Sequence, residues 1–123
     1  MLFADDDPEV LSAGADALNA AGFRVIKATD GQTVLEEALS HRVDLIILDI
    51  SMPQVGGLET CRCLKAMPKT SKIPVILTAS KKDPAIKALA QRTHGSVRIL
   101  RKPFTDEELV STVRGLIKPK LLL

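Results

Sequence analysis

Tryptophan and tyrosine are absent from the 123 residues, and phenylalanine occurs only three times. A surface that binds nucleic acid by stacking therefore lacks its usual side chains, and the net charge of +2 is spread along the chain instead of gathered into a basic patch. No direct nucleic-acid contact is expected. Long apolar runs are missing too. The stretch Leu45 to Leu48 falls far below the roughly 20 residues of a membrane helix, and Met1 is followed by Asp5-Asp6-Asp7 instead of a basic n-region. Neither a membrane span nor an export signal is expected. Cysteine is scarce: Cys61 and Cys63 stand two apart in a helix-like segment, where side chains diverge by about 200° and cannot easily pair. Cys61 reads as core and Cys63 as a partly exposed thiol, not as a redox or metal pair. Reduced thiols without an export signal point to the cytoplasm.

What is present is a globular composition, 46% hydrophobic and 26% charged, at the length of one domain. A single soluble domain over residues 1–123 is expected. Short apolar runs alternate with helical patterns five times. Met1 to Ala4 precedes a helix start at Asp7-Pro8-Glu9, which supplies a capping side chain, a proline at the first helical position and an acid in the first turn. Val10, Leu11, Leu18 and Ala21 share a face with Gly14, whose missing side chain would let the helix approach closely, and Gly22 ends the helix. Phe23 to Ala28 reads as strand two. Thr33 to His41 reads as a helix with Val34, Leu35, Ala38 and Leu39 inward, and Val43 to Leu48 as strand three. Gly57 to Met67 is helical through Leu58, Cys61 and Leu64. Val75 to Ala79 is strand four, and Asp83-Pro84 opens a helix through Ile86, Leu89 and Ala90 that stops at Gly95. Val97 to Arg101 is strand five, and Thr105-Asp106-Glu107-Glu108 begins a last helix running to Ile117 before Pro119.

Strands separated by helices need crossover connections, hence a parallel sheet covered on both faces. Leu45 to Leu48 and Val75 to Leu77 are continuously apolar, as central strands should be, whereas strands two and five carry Arg24, Lys27, Arg98 and Arg101. Charged edges at two and five fit the doubly wound order 2-1-3-4-5.

In such a sheet, ligands bind beyond the carboxyl ends of the strands. Those ends carry Asp5-Asp6-Asp7, Asp49, Thr78-Ala79 and Lys102-Pro103. Adjacency of strands one and three brings Asp5, Asp6 and Asp49 together, where like charges repel unless a cation lies among them. Hard carboxylate oxygens with room for water and phosphate suit Mg²⁺. Asp7 is spent on the helix cap. Asp49, framed by the most buried strand and the loop Ser51-Met52-Pro53, reads as a nucleophile that forms an aspartyl phosphate. Lys102 and Thr78 would reach other phosphoryl oxygens from neighbouring strands. Singly, each acid reads as a turn or cap residue and Lys102 as a solvated lysine; only the joint pattern is specific.

With these residues assembled, the chain resembles the receiver domains of two-component response regulators, including the single-domain chemotaxis type. The resemblance spans essentially the whole chain. It rests on Ala4-Asp5-Asp6-Asp7-Pro8, Leu45-Ile46-Ile47-Leu48-Asp49 with Met52-Pro53 and Gly56-Gly57-Leu58, Ile73-Pro74-Val75-Ile76-Leu77-Thr78-Ala79, and Lys102-Pro103-Phe104. It implies a flavodoxin-like five-stranded fold and transfer of a phosphoryl group to Asp49 from a histidine kinase or phosphotransfer protein. It further implies Mg²⁺ held by Asp6, Asp49 and the Ser51 backbone carbonyl, with Asp5 acting through water. Lys102 would pair with phosphoryl oxygens across a cis Lys102-Pro103 bond, and Thr78 would swing toward the phosphoryl group. The change would be read by an output domain or a target protein. Arg98 and Arg101, near acids of the last helix, are compatible with a homodimer, although a solvated charged edge is the simpler reading.

The sequence departs from the family where Ile99 replaces an aromatic, in a slightly long stretch between Thr78 and Lys102, and in the few residues before Asp5. Three other functions compete. A pseudo-receiver would keep the fold as a binding or dimerisation module without phosphorylation. A phosphatase of the haloacid-dehalogenase type needs an acid where Ser51 stands. A flavodoxin-like electron carrier needs a phosphate loop that three consecutive acids would oppose.

Overall fold

Helices begin where the sequence supplies caps. In the computed structural model, which describes residues 1–80, 82–93 and 96–117, Asp7 accepts the Glu9 N–H at 2.9 Å and Pro8 opens α1 (Pro8–Ala20). Asp83 does the same for Ala85 at 2.8 Å, with Pro84 opening α4 (Pro84–Arg92). A capping box starts α5 (Asp106–Arg114): Thr105 Oγ1 accepts from Glu108 N at 3.0 Å and Glu108 Oε1 from Thr105 N at 3.1 Å. Asp30 accepts the Thr33 N–H at 2.8 Å, so α2 (Gly31–Ser40) begins two residues before the expected Thr33. Among the described residues, α3 (Gly57–Ala66) is the one helix that starts without a side-chain cap, at Gly56.

The strands are β1 (Leu2–Ala4), β2 (Ile26–Ala28), β3 (Ile46–Asp49), β4 (Val75–Ala79) and β5 (Val97–Arg101), all parallel in the order β2-β1-β3-β4-β5. This is the doubly wound arrangement expected, with charged strands at both edges. Inward alternation divides the core in two. Leu2, Ala4, Ile46, Leu48, Val75, Leu77 and Val97 face Val34, Ala38, Cys61, Leu64, Ile86 and Leu89 of α2, α3 and α4. Phe3, Leu45, Ile47, Ile76 and Leu100 face Leu11, Leu18, Leu109 and Val113 of α1 and α5. Burial pushes the Cys61 thiol up to about 11, as befits an inert core residue. No helix among the described residues is long and apolar enough to cross a membrane.

Several expected boundaries move for local reasons. Strand two, expected from Phe23, begins at Ile26, because Phe23 N–H is tied to Leu18 O at 3.0 Å and Gly22 turns the chain with φ 97°. Strand three, expected from Val43, begins at Ile46, with Leu45 O accepting the Leu2 N–H at 3.0 Å as its lead-in. Leu39, expected inward, is 41% exposed: Val34 and Ala38 define the buried stripe of α2. The last helix ends at Arg114 instead of Ile117, and Leu116 and Ile117 both donate to Val113 O in a closing turn. The stop at Gly95 and the segment Pro119 and Leu121 to Leu123 lie outside the described residues.

Gly14 carries the close approach foreseen for α1. A Cβ added there would sit 2.7 Å from Cζ of the fully buried Phe3 ring and closer still to Cε2. Because that ring has no room to move, Gly14→Ala is expected to destabilise the protein by about 1–3 kcal/mol. Urea unfolding followed by circular dichroism checks this, and an unchanged midpoint would show that α1 can lift away.

Candidate functional site

Four neighbouring strands end at one edge of the sheet, and their last residues bring the charges together. Asp5 follows β1, Asp49 closes β3, Thr78 lies opposite Asp49 in the β3–β4 register, and Lys102 follows β5. Ladder bonds fix their backbones: Asp5 N–H donates to Ala28 O at 3.2 Å, Ile50 N–H to Thr78 O at 2.9 Å, and Lys102 N–H to Ala79 O at 2.9 Å. The Lys102-Pro103 bond is cis, as expected.

Asp5 is fully buried and Asp49 is 1% exposed, while Asp6 faces solvent. One carboxylate oxygen from each of the three lies within 4.8 Å of the others. The Lys102 ammonium donates to Asp5 Oδ2 at 2.8 Å and stands 3.3 Å from Asp49 Oδ1. Asp5 Oδ1 accepts the Asp7 N–H at 2.9 Å, and Asp7 is the α1 cap, so the start of this helix and the site are joined by consecutive acids. Burial raises the Asp5 carboxyl above its ordinary range, with the Asp49 charge adding to it, and the bonds from Lys102 and Asp7 offset only part. Burial pulls Lys102 down, but its bond to Asp5 and the charges of Asp49 and Asp5 outweigh it, and the ammonium ends above its ordinary value.

That shift has a pH consequence. A lysine whose folded pKa exceeds its unfolded value contributes stability that is fully present below the unfolded pKa. The contribution is lost as pH rises through the folded pKa, so it should fade only above the ordinary lysine range. Guanidinium unfolding from pH 8 upward should show an alkaline loss that Lys102→Ala lacks; parallel curves for the two proteins would count against the pairing.

The structure brings Asp5, Asp6, Asp49 and Lys102 into one cluster. Thr78 is adjacent but turned away: it is buried, and its hydroxyl lies 3.5 Å from Leu48 O, the outer limit of a hydrogen bond. Ile99 is 39% exposed on the edge strand. Arg98 and Arg101 are exposed as well.

Two residues take parts that the sequence reading did not give them. The Ser51 hydroxyl lies 3.1 Å from Asp49 Oδ1 and 3.2 Å from Oδ2, and the Ser51 N–H is 3.3 Å from Oδ1. Gly57 lets α3 abut the end of β3, since a Cβ there would sit 2.8 Å from the Asp49 carbonyl carbon and nearer still to its oxygen. The pairing Gly56-Gly57 was visible in the sequence, but its reason is the backbone path, which turns through Gln54 at φ 62°.

Three convergent carboxylates form a hard oxygen donor set, and the residues present fit a divalent cation of the kind that takes carboxylate oxygens together with water or phosphate. The chemistry available is that of an anionic carboxylate beside an ammonium, at the carboxyl edge of a parallel sheet.

Comparison with known proteins agrees with this geometry. The family model described as response regulator receiver domain matches residues 1–114. The transcriptional regulatory protein CpxR of Escherichia coli is 36% identical over 118 residues, covering 96% of this chain and 49% of that protein. PrrA, a transcriptional regulatory protein of Mycobacterium tuberculosis, is 35% identical over 118 residues with the same coverage of 96% and 49%. This chain therefore spans about half the length of these curated relatives. Among solved structures, the chemotaxis protein CheY4 of Vibrio cholerae aligns with a TM-score of 0.85 at 28% identity, over 94% of this chain and 96% of that one. With the strand order, the acidic cluster and the family match in agreement, the chain belongs to the receiver domains of two-component response regulators.

Proposed function

We propose that residues 1–123 form one cytoplasmic switch domain whose Asp49 accepts a phosphoryl group from a histidine kinase or phosphotransfer protein in a Mg²⁺-dependent step. The altered surface then acts on an output domain or target protein. The observation that supports this best is the nearly buried Asp49 carboxylate with Asp5 and Asp6 within 4.8 Å and the Lys102 ammonium at 3.3 Å.

Asp49 attacks as the carboxylate. One of its oxygens forms the new O–P bond while the donor's P–N bond breaks, and the bonding pair leaves with the imidazole, which takes up a proton. Asp6 and Asp49 would hold the metal through their side chains and Ser51 through its carbonyl, with Asp5 acting through water. When bound, the metal neutralises charge on the phosphoryl oxygens. Lys102, kept charged by its acidic neighbours, reaches another phosphoryl oxygen. The Thr78 hydroxyl exchanges its long contact with Leu48 O for a phosphoryl oxygen, and the Ala79 backbone, bonded to Lys102 N–H at 2.9 Å, follows it. The chain turns over no outside substrate, since Ser51 stands where a hydrolase of this kind needs its acid.

Intact-mass measurement after incubation with acetyl phosphate tests the proposal. One phosphoryl adduct should form with Mg²⁺ and none with EDTA. Equal adduct in both would remove the metal from the scheme, and no adduct in either would favour a pseudo-receiver.

A further inference from the structure

We infer that the Ser51 hydroxyl is a positioning group that holds the unphosphorylated Asp49 carboxylate and competes with a divalent cation for it. This rests on the cation site proposed above and adds a regulator of its affinity.

A carboxylate offers about four acceptor positions. Asp49 Oδ1 already faces three donors: Ser51 N–H at 3.3 Å, Ser51 Oγ at 3.1 Å and Lys102 Nζ at 3.3 Å. Oδ2 has the Ser51 hydroxyl at 3.2 Å. The hydroxyl therefore stands nearly equidistant from both oxygens and lies against the acceptor positions that a cation on either oxygen would need. It carries one proton, which the two oxygens share. Ser51 lies on an exposed turn while Asp49 is 1% exposed, so the serine can yield and the carboxylate cannot. Donation to the anion also stabilises it, which weakens it as a ligand. Rotation about the Ser51 side-chain torsion clears the carboxylate without disturbing the backbone carbonyl of the same residue.

The test is a Mg²⁺ titration of the full chain, followed by backbone amide chemical shifts, on wild type, Ser51→Ala, Ser51→Thr and Asp49→Asn. Ser51→Ala should bind Mg²⁺ about three- to ten-fold tighter, the worth of one long charge-assisted hydrogen bond. Ser51→Thr, which keeps the hydroxyl, should stay within about two-fold of wild type, a rescue that a merely structural role of residue 51 would not predict. Asp49→Asn should lose most binding. If Asp49→Asn binds like wild type, the cation site itself is wrong. If Asp49→Asn loses binding while Ser51→Ala binds no tighter than wild type, or Ser51→Thr behaves like Ser51→Ala, the competition by Ser51 is refuted.

Discussion

Asp49→Asn should reduce phosphoryl uptake from acetyl phosphate to background, a loss of at least about 1,000-fold. The amide has no anionic oxygen to attack phosphorus, and it contributes a weaker donor to any cation among Asp5 and Asp6. Folding should survive the change, and in metal-free buffer the melting temperature should stay level or rise. The reason lies in the charges: Asp5, Asp6 and Asp49 present carboxylate oxygens within 4.8 Å of one another, and one ammonium serves two of them. Removing one negative charge relieves that crowding. A variant that still accepts one phosphoryl group per chain would show that another residue is the nucleophile. One that fails to fold would show that the carboxylate is needed for structure.

Lys102→Ala should have the second-largest effect, and its two consequences separate by metal. Without Mg²⁺, the fully buried Asp5 and the nearly buried Asp49 lose the cation that stands 2.8 Å and 3.3 Å from them. Breaking one partner of a fully buried ion pair costs about 3–5 kcal/mol. Because the Lys102 side chain is 21% exposed, about 1–3 kcal/mol is expected here. With Mg²⁺ the loss should shrink, since a bound cation takes over the neutralisation. Metal binding should persist, but the spectral change that follows phosphorylation should not, because the group proposed to link the phosphoryl oxygens to the end of β5 would be gone. Amide spectra of the variant with and without acetyl phosphate check this. A phosphorylation-dependent pattern identical to that of wild type would contradict the role given to Lys102.

Much of this arrangement could be read from the sequence, for identifiable reasons. Helix starts depend on a few local residues, and Asp7-Pro8, Asp83-Pro84 and the Thr105 to Glu108 box all cap as expected. β4 and β5 match their expected limits, Val75 to Ala79 and Val97 to Arg101, because an unbroken apolar run and a charged edge leave little choice. Once the strand order is fixed, the meeting of Asp5 with Asp49 follows from adjacency of β1 and β3.

What the sequence hid depends on three-dimensional path. Phe23 and Val25 look like strand residues by their hydrophobicity, but they dock on the α1 and α5 side before β2 begins, so apolar patterning overextended that strand. Leu39 follows the helical period yet lies beyond the stripe that the sheet covers. At the site, the Thr78 hydroxyl points to Leu48 O, the Ser51 hydroxyl spans the Asp49 carboxylate, and Gly57 is required by the Asp49 carbonyl. Residue spacing does not show where the two hydroxyls point, and the need for Gly57 follows from how β3 hands over to the loop that turns through Gln54.

The most direct test of Asp49 as phosphoacceptor is to trap the acyl phosphate where it forms. Wild-type chain incubated with acetyl phosphate and Mg²⁺, reduced with borohydride and digested, should yield homoserine in place of aspartate at residue 49 alone. Homoserine at Asp5, at Asp6 or at no residue would contradict the account.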